Sequence, residues 1–111
     1  MSSRGNNVEI KRLPVGLKAR GQKLLVAELE GCFRSERPLI VFDCSDLQQL
    51  DLSTVHLLLS CLERAILVNG DVKLAGMSSQ AKKMLHLNGA ETIFEMFETT
   101  ERAAESYRLC P

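Results

Sequence analysis

The sequence predicts a single α/β domain with a small, mostly parallel β-sheet that carries about four helices. Two observations lead to this prediction. Strand-like and helix-like segments alternate four times along the 111 residues, and such alternation is typical of strand–helix–strand units with right-handed crossovers. Residues 39–42 form a continuous apolar run, which indicates a strand that is covered on both faces.

The first strand and the first helix lie between the polar N-terminus and Pro38. Residues 8–13 alternate apolar and polar side chains, as a half-buried strand does, and Pro14 ends the run. From about residue 19 to residue 33, apolar side chains recur at helical spacing. We therefore expect a strand, a turn and a helix in that order.

The strand at residues 39–42 is followed by the most apolar helix of the chain, predicted over residues 54–68. Asn69-Gly70 supplies its C-terminal stop. A stripe of side chains at helical spacing must face the sheet; it comprises Val55, Leu58, Leu59, Leu62 and Ile66. Arg64 is expected on the outer face.

The C-terminal third repeats the alternation. Residues 72–75 predict a strand, and a serine-capped helix follows over residues 80–87. Residues 93–97 alternate like a last strand. Residues 99–108 predict a terminal helix. No linker or repeat interrupts this order, so we expect one domain.

The composition is that of an ordinary globular domain, with 45% hydrophobic and 25% charged residues. The chain contains no run of about 18 apolar residues, so we expect no membrane span. Residues 1–7 are polar and lack the apolar core of a signal peptide, which favours a flexible N-terminus before a domain over residues 8–108. Four cysteines without a Cys-x-x-Cys pair favour a reducing, cytoplasmic location.

Nucleic-acid binding has little support. Basic residues exceed acidic ones in residues 1–37, but the chain has four Phe, one Tyr and no Trp. The stacking surface of a single-strand binder is therefore missing, and we expect no nucleic-acid partner.

Catalytic, metal and cofactor sites are also poorly supported. The two histidines, His56 and His86, lie far apart in the chain, whereas a zinc site needs about four convergent ligands. No glycine-rich phosphate or dinucleotide motif follows a strand, so we expect neither metal nor cofactor. Ser53 and His56 could share a helix face as nucleophile and base, but the glycines of a nucleophile elbow are absent. We therefore predict no catalytic residues and no enzymatic activity.

Ser53 lies at the start of the second predicted helix, after a loop that leaves the strand at residues 39–42. A serine at such a junction is a natural N-cap, because its hydroxyl accepts a hydrogen bond from an unpaired helix amide. The same position tolerates a phosphate, since free N–H groups and the positive end of the helix dipole favour an anion. From the residues alone, Ser53 is either a structural cap or a regulatory switch.

Three segments carry a resemblance to a known family. Residues 39–47, Leu-Ile-Val-Phe-Asp-Cys-Ser-Asp-Leu, end a hydrophobic strand in Asp-x-Ser, and residues 51–55 read Asp-Leu-Ser-Thr-Val. Residues 72–99 then contain Val-Lys-Leu-Ala-Gly, Leu-His-Leu-Asn-Gly and Ile-Phe-Glu-Met-Phe. In this order and spacing the chain resembles the STAS family of anti-sigma factor antagonists. The resemblance implies a SpoIIAA-like fold, with a mixed, mostly parallel sheet, a first strand that is often antiparallel or at the edge, and helices packed largely on one face.

The resemblance also implies a function. Family members bind an anti-sigma factor that is also a serine kinase of the GHKL type, and this kinase inactivates its antagonist by phosphorylating the signature serine, here Ser53. A phosphatase reverses the modification. The residues expected to contact the partner surround Ser53: Asp51, Leu52, Thr54, His56, Leu57, Ser60 and Lys18. Lys18 stands where the family often has an acidic residue, and it could pair with Asp51 or with phosphoserine.

A second interpretation keeps the fold and changes the function. STAS-like domains also serve as non-phosphorylated subunits or scaffolds of transport and signalling complexes, in which Ser53 would be only a cap. The helix that starts at Thr54 would then be a docking face. A homodimer through Leu57 or Leu67 also stays open.

Overall fold

Four strands and four helices alternate along residues 8–109, the part of the chain that the computed structural model describes. Their order is β1 (Val8–Arg12), α1 (Ala19–Arg34), β2 (Leu39–Asp43), α2 (Leu52–Ile66), β3 (Asp71–Ala75), α3 (Ser79–Leu87), β4 (Met96–Phe97) and α4 (Thr100–Leu109). The predicted α/β class and element order are confirmed. The N-terminus predicted to be flexible, residues 1–7, lies outside the described residues. No helix within the described range has the length and apolar character needed to cross a membrane.

The strands form one sheet in the order β1-β2-β3-β4, and each neighbouring pair is parallel. The register sets Leu39 of β2 opposite Val8 of β1 and opposite Asp71 of β3. A mixed sheet would contain an antiparallel strand, but β1 is a parallel edge strand, so the described sheet is wholly parallel. Parallel pairing brings the carboxyl ends of the strands to one edge of the sheet.

Alternate side chains of the sheet face two different helical layers. Ile40 and Phe42 of β2 are fully buried in the larger hydrophobic cluster, to which α1, α2 and α3 contribute. Val41, which lies between them in the strand, packs instead in a smaller cluster with Ala103 of α4. Three of the four helices therefore share one face, as predicted, and α4 covers the other.

The α4 face of the sheet contains a buried charge. Lys73 of β3 is only 4% exposed, and its Nζ lies 2.7 Å from Ser106 Oγ and 3.2 Å from Glu95 Oε1. The ring centroids of Tyr107 and Phe97 lie 4.2 and 5.4 Å from the same ammonium group, within the range of cation–π attraction. A buried ammonium group is costly without partners, so the fold depends on these contacts. They hold α4 and residues 95–97 against β3.

Tyr107 adds a hydrogen bond from α4 to the central part of the sheet. Its hydroxyl donates to the carbonyl oxygen of Ile40 at 2.9 Å. Burial, and to a lesser degree the nearby carboxylate of Asp71, raises the pKa of the Tyr107 phenol above its ordinary value. The phenol therefore stays protonated and keeps its role as a donor at neutral pH.

The start of β3 is held against the start of β2. The backbone N–H of Asp71 donates to the carbonyl oxygen of Pro38 at 2.9 Å, and that of Arg37 donates to the carbonyl oxygen of Val68 at 3.1 Å. A β-carbon at Gly70 would collide with the Pro38 carbonyl oxygen. Glycine is therefore required at position 70 for this close approach.

Two element boundaries differ from the predicted ones. β4 contains only Met96–Phe97 of the predicted residues 93–97, because residues 90–93 form a turn in which the backbone N–H of Ile93 donates to the carbonyl oxygen of Ala90 at 3.1 Å. α2 ends at Ile66, where 56% of that side chain is exposed. The prediction that Ile66 faces the sheet is therefore wrong, because the helix has already reached the edge of the core at this point.

Candidate functional site

The N-terminus of α2 lies at the edge where the parallel strands end. The loop over residues 44–51 leads from β2 into α2, and its Leu47 and Leu50 are buried in the core. The backbone N–H of Cys44 donates to the carbonyl oxygen of Ala75 at 2.8 Å. These contacts hold the loop and thereby the first residues of α2. In open α/β sheets, ligands bind at this edge.

Asp51 is the N-cap of α2. Its backbone is extended (φ −93°, ψ 169°), and its Oδ1 accepts a hydrogen bond from the backbone N–H of Thr54 at 2.9 Å. Hydrogen bonds from the side chain and backbone of Thr54, and a further one from the Ser53 hydroxyl, lower the pKa of Asp51. Of the two interpretations of Ser53, that of a helix cap is wrong. The helix begins at Leu52, and the carboxylate of Asp51 is its cap, because a negative charge is stabilised at the positive end of a helix.

The Ser53 side chain is exposed and hydrogen-bonded on two sides. Its Oγ accepts a hydrogen bond from Gln22 Nε2 at 3.0 Å and donates one to Asp51 Oδ1 at 3.2 Å. The backbone N–H groups of Leu52 and Ser53 belong to the first turn and have no acceptor within residues 8–109. A solvent-exposed hydroxyl therefore lies beside a carboxylate and two unpaired amides.

Gln22 of α1 is a site residue that sequence reasoning missed. Its Nε2 contacts Ser53 Oγ and also lies 3.4 Å from the Leu17 carbonyl oxygen. Gln22 and Ser53 are 31 positions apart in the chain, and no local pattern predicts their contact. The one available signal is helical spacing, which sets Gln22 one turn after Lys18 on the same face of α1.

Lys18 is exposed at the N-cap position of α1. Its carbonyl oxygen accepts a hydrogen bond from the backbone N–H of Gln22 at 2.8 Å, so Lys18 lies one turn from the residue that contacts Ser53. The expected ion pair between Lys18 and Asp51 is not among those formed by the described residues.

A groove between α1 and α2 extends away from Ser53. It has a volume of about 580 Å³, and α2 contributes Ser53, His56, Leu57 and Ser60 to its lining. At the far end, the Arg64 guanidinium forms two hydrogen bonds of 2.9 Å with the Glu30 carboxylate. The same guanidinium lies 4.4 Å from the centroid of the Phe33 ring. Arg64 therefore connects α2 to α1 instead of lying free on the outer face.

The predicted partner-binding residues separate into two groups. Leu52, His56 and Ser60 are exposed, and they lie on the turns of α2 that begin with Ser53. Thr54 and Leu57 are each only 7% exposed. Both side chains are largely buried, and Leu57 belongs to the larger hydrophobic cluster while it also lines the groove between α1 and α2. Little of Thr54 and Leu57 is therefore available to a partner, and a homodimer contact through Leu57 stays a prediction.

The geometry gives no support to a nucleophile–base pair. The hydrogen-bond partners of Ser53 Oγ are Gln22 and Asp51, and His56 is not one of them. Among residues 8–109, no group of three His, Cys, Asp or Glu side chains could hold a metal ion.

The thiols of Cys32, Cys44 and Cys61 all have raised pKa values. Burial raises the pKa of Cys44 to about 12 and that of Cys61 to about 11. Burial also raises the pKa of Cys32. All three are therefore protonated at neutral pH, and they behave as small apolar side chains.

A family comparison agrees with the fold. The model of the STAS domain matches residues 17–103. The match begins just before α1 and includes the whole of α2 with Asp51 and Ser53. The chain belongs to the STAS domain family.

Two solved structures have the same fold. The anti-sigma factor antagonist SpoIIAA, in its unphosphorylated form, is similar with a TM-score of 0.79 at 21% sequence identity, over 96% of this chain and 93% of SpoIIAA. An anti-sigma-factor antagonist (STAS) domain protein from Planctomyces limnophilus is similar with a TM-score of 0.78 at 14% identity, over 96% of this chain and 95% of that protein. No curated protein sequence matches the chain.

Proposed function

We propose that the chain is an anti-sigma factor antagonist, which binds an anti-sigma factor and is released from it by phosphorylation at Ser53. The observation that carries the proposal is the exposed Ser53 hydroxyl at the start of α2, hydrogen-bonded to Asp51. Similarity to SpoIIAA, an anti-sigma factor antagonist, supports it. The proposed partner is a serine kinase of the GHKL type, and a phosphatase restores the unmodified form. The protein acts in the cytoplasm by binding and performs no catalysis itself.

The proposed contact surface consists of the exposed residues around Ser53: Asp51, Leu52, His56, Ser60 and Lys18. Leu52 is 51% exposed and supplies an apolar anchor at the centre of this surface. Thr54 and Leu57 hold the surface from beneath. Self-association through Leu67, which is 83% exposed at the other end of α2, stays a prediction.

A phosphate on Ser53 should leave the fold intact. It would lie beside the unpaired N–H groups of Leu52 and Ser53, where a negative charge gains about 0.3–1 kcal/mol from the helix dipole. Repulsion from the carboxylate of Asp51 opposes this gain. We therefore expect only a small change in the free energy of unfolding.

The same phosphate should weaken partner binding. It adds about −1.5 to −2 charges at neutral pH, next to the ionised Asp51. An interface charge that is left without a partner costs on the order of 2–5 kcal/mol, which is a loss of affinity of about thirty-fold or more. This asymmetry favours a switch of binding over a switch of folding.

Incubation with a GHKL-type serine kinase and ATP, followed by mass spectrometry, tests the modification. We expect one phosphate on the Ser53 peptide of the wild-type protein and none on the Ser53→Ala variant. Ser53→Asp should bind the kinase about thirty-fold or more weakly than wild type while the melting temperature changes little. Ser79→Asp, which alters an exposed serine in the first turn of α3, is the matched control and should bind like wild type.

Equal affinity of wild type and Ser53→Asp would refute the switch. A wild-type protein that binds a partner complex but is never phosphorylated would favour the second interpretation, a non-phosphorylated STAS subunit or scaffold.

A further inference from the structure

The Ser53 hydroxyl belongs to a series of hydrogen bonds that joins the segment before α1 to the start of α2. Its members, in order, are the carbonyl oxygen of Leu17, Gln22 Nε2, Ser53 Oγ, Asp51 Oδ1 and the backbone N–H of Thr54. The successive distances are 3.4, 3.0, 3.2 and 2.9 Å. The groups at its ends determine where each proton in the series lies.

At the α1 end, the Leu17 carbonyl oxygen can only accept a hydrogen bond. The atom of the Gln22 amide that faces it must therefore be the nitrogen and not the oxygen. Because the same nitrogen contacts Ser53 Oγ, Gln22 donates a second hydrogen bond to the hydroxyl oxygen.

At the α2 end, the Asp51 carboxylate is also only an acceptor. It accepts one hydrogen bond from the backbone N–H of Thr54 and another from the hydroxyl of Ser53. Ser53 Oγ therefore accepts one hydrogen bond and donates another. One lone pair remains, and because the side chain is exposed it is open to solvent.

We propose that Gln22 is a positioning residue for phosphoryl transfer to Ser53, an inference that rests on the function proposed above. Gln22 holds Ser53 Oγ in the rotamer that directs its proton to Asp51 and its free lone pair to the incoming γ-phosphorus of ATP. That lone pair forms the Oγ–P bond, and the bond from the γ-phosphorus to the β–γ bridging oxygen breaks. The hydroxyl proton passes to Asp51 Oδ1 and then to solvent. Phosphoserine and ADP are the products.

The position of Gln22 suits this role. Its side chain is half-buried, and the same Nε2 that contacts Ser53 also donates to the carbonyl oxygen of Leu17. Lys23, the next residue, lines the same groove without a hydrogen bond to Ser53 within the described residues. Lys23 therefore provides a control on the same helix and the same surface.

Steady-state kinetics with a GHKL-type serine kinase that phosphorylates the wild-type protein tests the proposal. Gln22→Met keeps the bulk of the side chain and removes its N–H donors. We expect kcat to fall about five-fold, the effect of one hydrogen bond of about 1 kcal/mol, while KM stays unchanged. Gln22→Lys, which restores a donor, should recover most of the rate, and Lys23→Met should match wild type. Equal kcat for wild type and Gln22→Met would overturn the proposal.

A measurement without kinase separates this role from the proposed function. Three-bond NMR couplings should show one χ1 rotamer of Ser53 in the wild type and an average of rotamers in Gln22→Met. The same rotamer populations in both proteins would also overturn the role of Gln22. A wild-type protein that the kinase does not modify would refute the proposed function itself, whereas a modified wild type with unchanged Gln22→Met kinetics refutes only the positioning.

Discussion

On the α4 face of the sheet, the Lys73 ammonium is enclosed by Ser106, Glu95 and two aromatic rings, whereas on the opposite face the Ser53 hydroxyl is open to solvent. Both are polar networks that join a helix to a neighbouring element. In the first network, every buried side-chain nitrogen and oxygen has a hydrogen-bond partner, as is true of all the described residues. In the second, a lone pair of Ser53 and two backbone amides are unpaired.

The difference between the two networks lies in what a change would cost. A buried and fully paired network stabilises a single arrangement, because any unpaired member loses its hydration without compensation. An exposed network with unpaired groups can accept a modification, because water forms hydrogen bonds with any group that loses its partner. The α4 face is therefore suited to holding the fold together, and the α1–α2 face is suited to changing its state.

Lys73→Ala should break the buried network and have the largest effect on stability. We expect the free energy of unfolding to fall by about 3 kcal/mol, because the variant loses the ammonium contacts and leaves a cavity under α4. Urea denaturation measures the change. Lys82→Ala, at an exposed position of α3, is the control and should stay within about 0.5 kcal/mol of wild type. A loss no larger than that of the control would show that α4 does not depend on Lys73.

Tyr107→Phe should remove one hydrogen bond from the same network and cost about 1 kcal/mol at pH 7. The pKa of Tyr107 is raised in the folded state. As the pH rises above about 10, Tyr107 therefore loses its proton in the unfolded chain before it does so in the folded protein. The wild type loses stability as a result, whereas the Tyr107→Phe variant, which has no phenol, does not. Denaturation at pH 7 and at pH 10.5 should show the gap between the two proteins narrowing. A gap that widens with pH would contradict this assignment.

Asp51→Ala tests the part of the exposed network that does support the fold. We expect a loss of about 1 kcal/mol at pH 7, because the variant lacks the N-cap of α2. Asp51→Asn retains a cap and should lose much less. Since the pKa of Asp51 is lowered in the folded state, its stabilising effect is present above about pH 3.9 and is lost as the pH falls through the folded pKa. The difference between wild type and Asp51→Ala should shrink accordingly in acid denaturation series.

Ser53→Ala should have the smallest effect, within about 0.5 kcal/mol. Its hydroxyl is exposed, and Asp51 already caps the helix. Ser78→Ala is the matched comparison, because Ser78 is the N-cap of α3. Its Oγ accepts a hydrogen bond from the backbone N–H of Ala81 at 3.0 Å, and removal of this cap should lower the free energy of unfolding by about 1 kcal/mol. Equal losses for the two serines would identify Ser53 as a structural residue.

Local patterns in the sequence were sufficient to predict most of the fold. The alternation of apolar residues located the strands and helices, and the continuous run at residues 39–42 identified the strand that both helical layers cover. β4 was predicted too long, because alternation alone could not show that Ile93 belongs to a turn with Ala90. In the same way, helical spacing placed Ile66 with the core but could not show where the core ends.

The site was predicted less completely, for two physical reasons. Asp51, Ser53 and Thr54 are all residue types that cap helices, so composition could not select the cap, and the helix begins two residues earlier than predicted. The contact of Gln22 with Ser53 depends on how α1 packs beside α2, which no local pattern contains. The position of Ser53 at an exposed helix start was nevertheless predicted, because it depends only on the strand and helix that flank it.

Gly70 has a consequence at the opposite edge of the sheet. Its close approach to Pro38 aligns β2 and β3 where they start. The five residues of β2 therefore determine where the loop that leads to Ser53 begins. Deletion of Ile40 from β2 would turn Val41 to the opposite side of the sheet and draw the following loop back by about 3.3 Å. The position of Ser53 relative to Gly70 thus depends on the number of residues in β2.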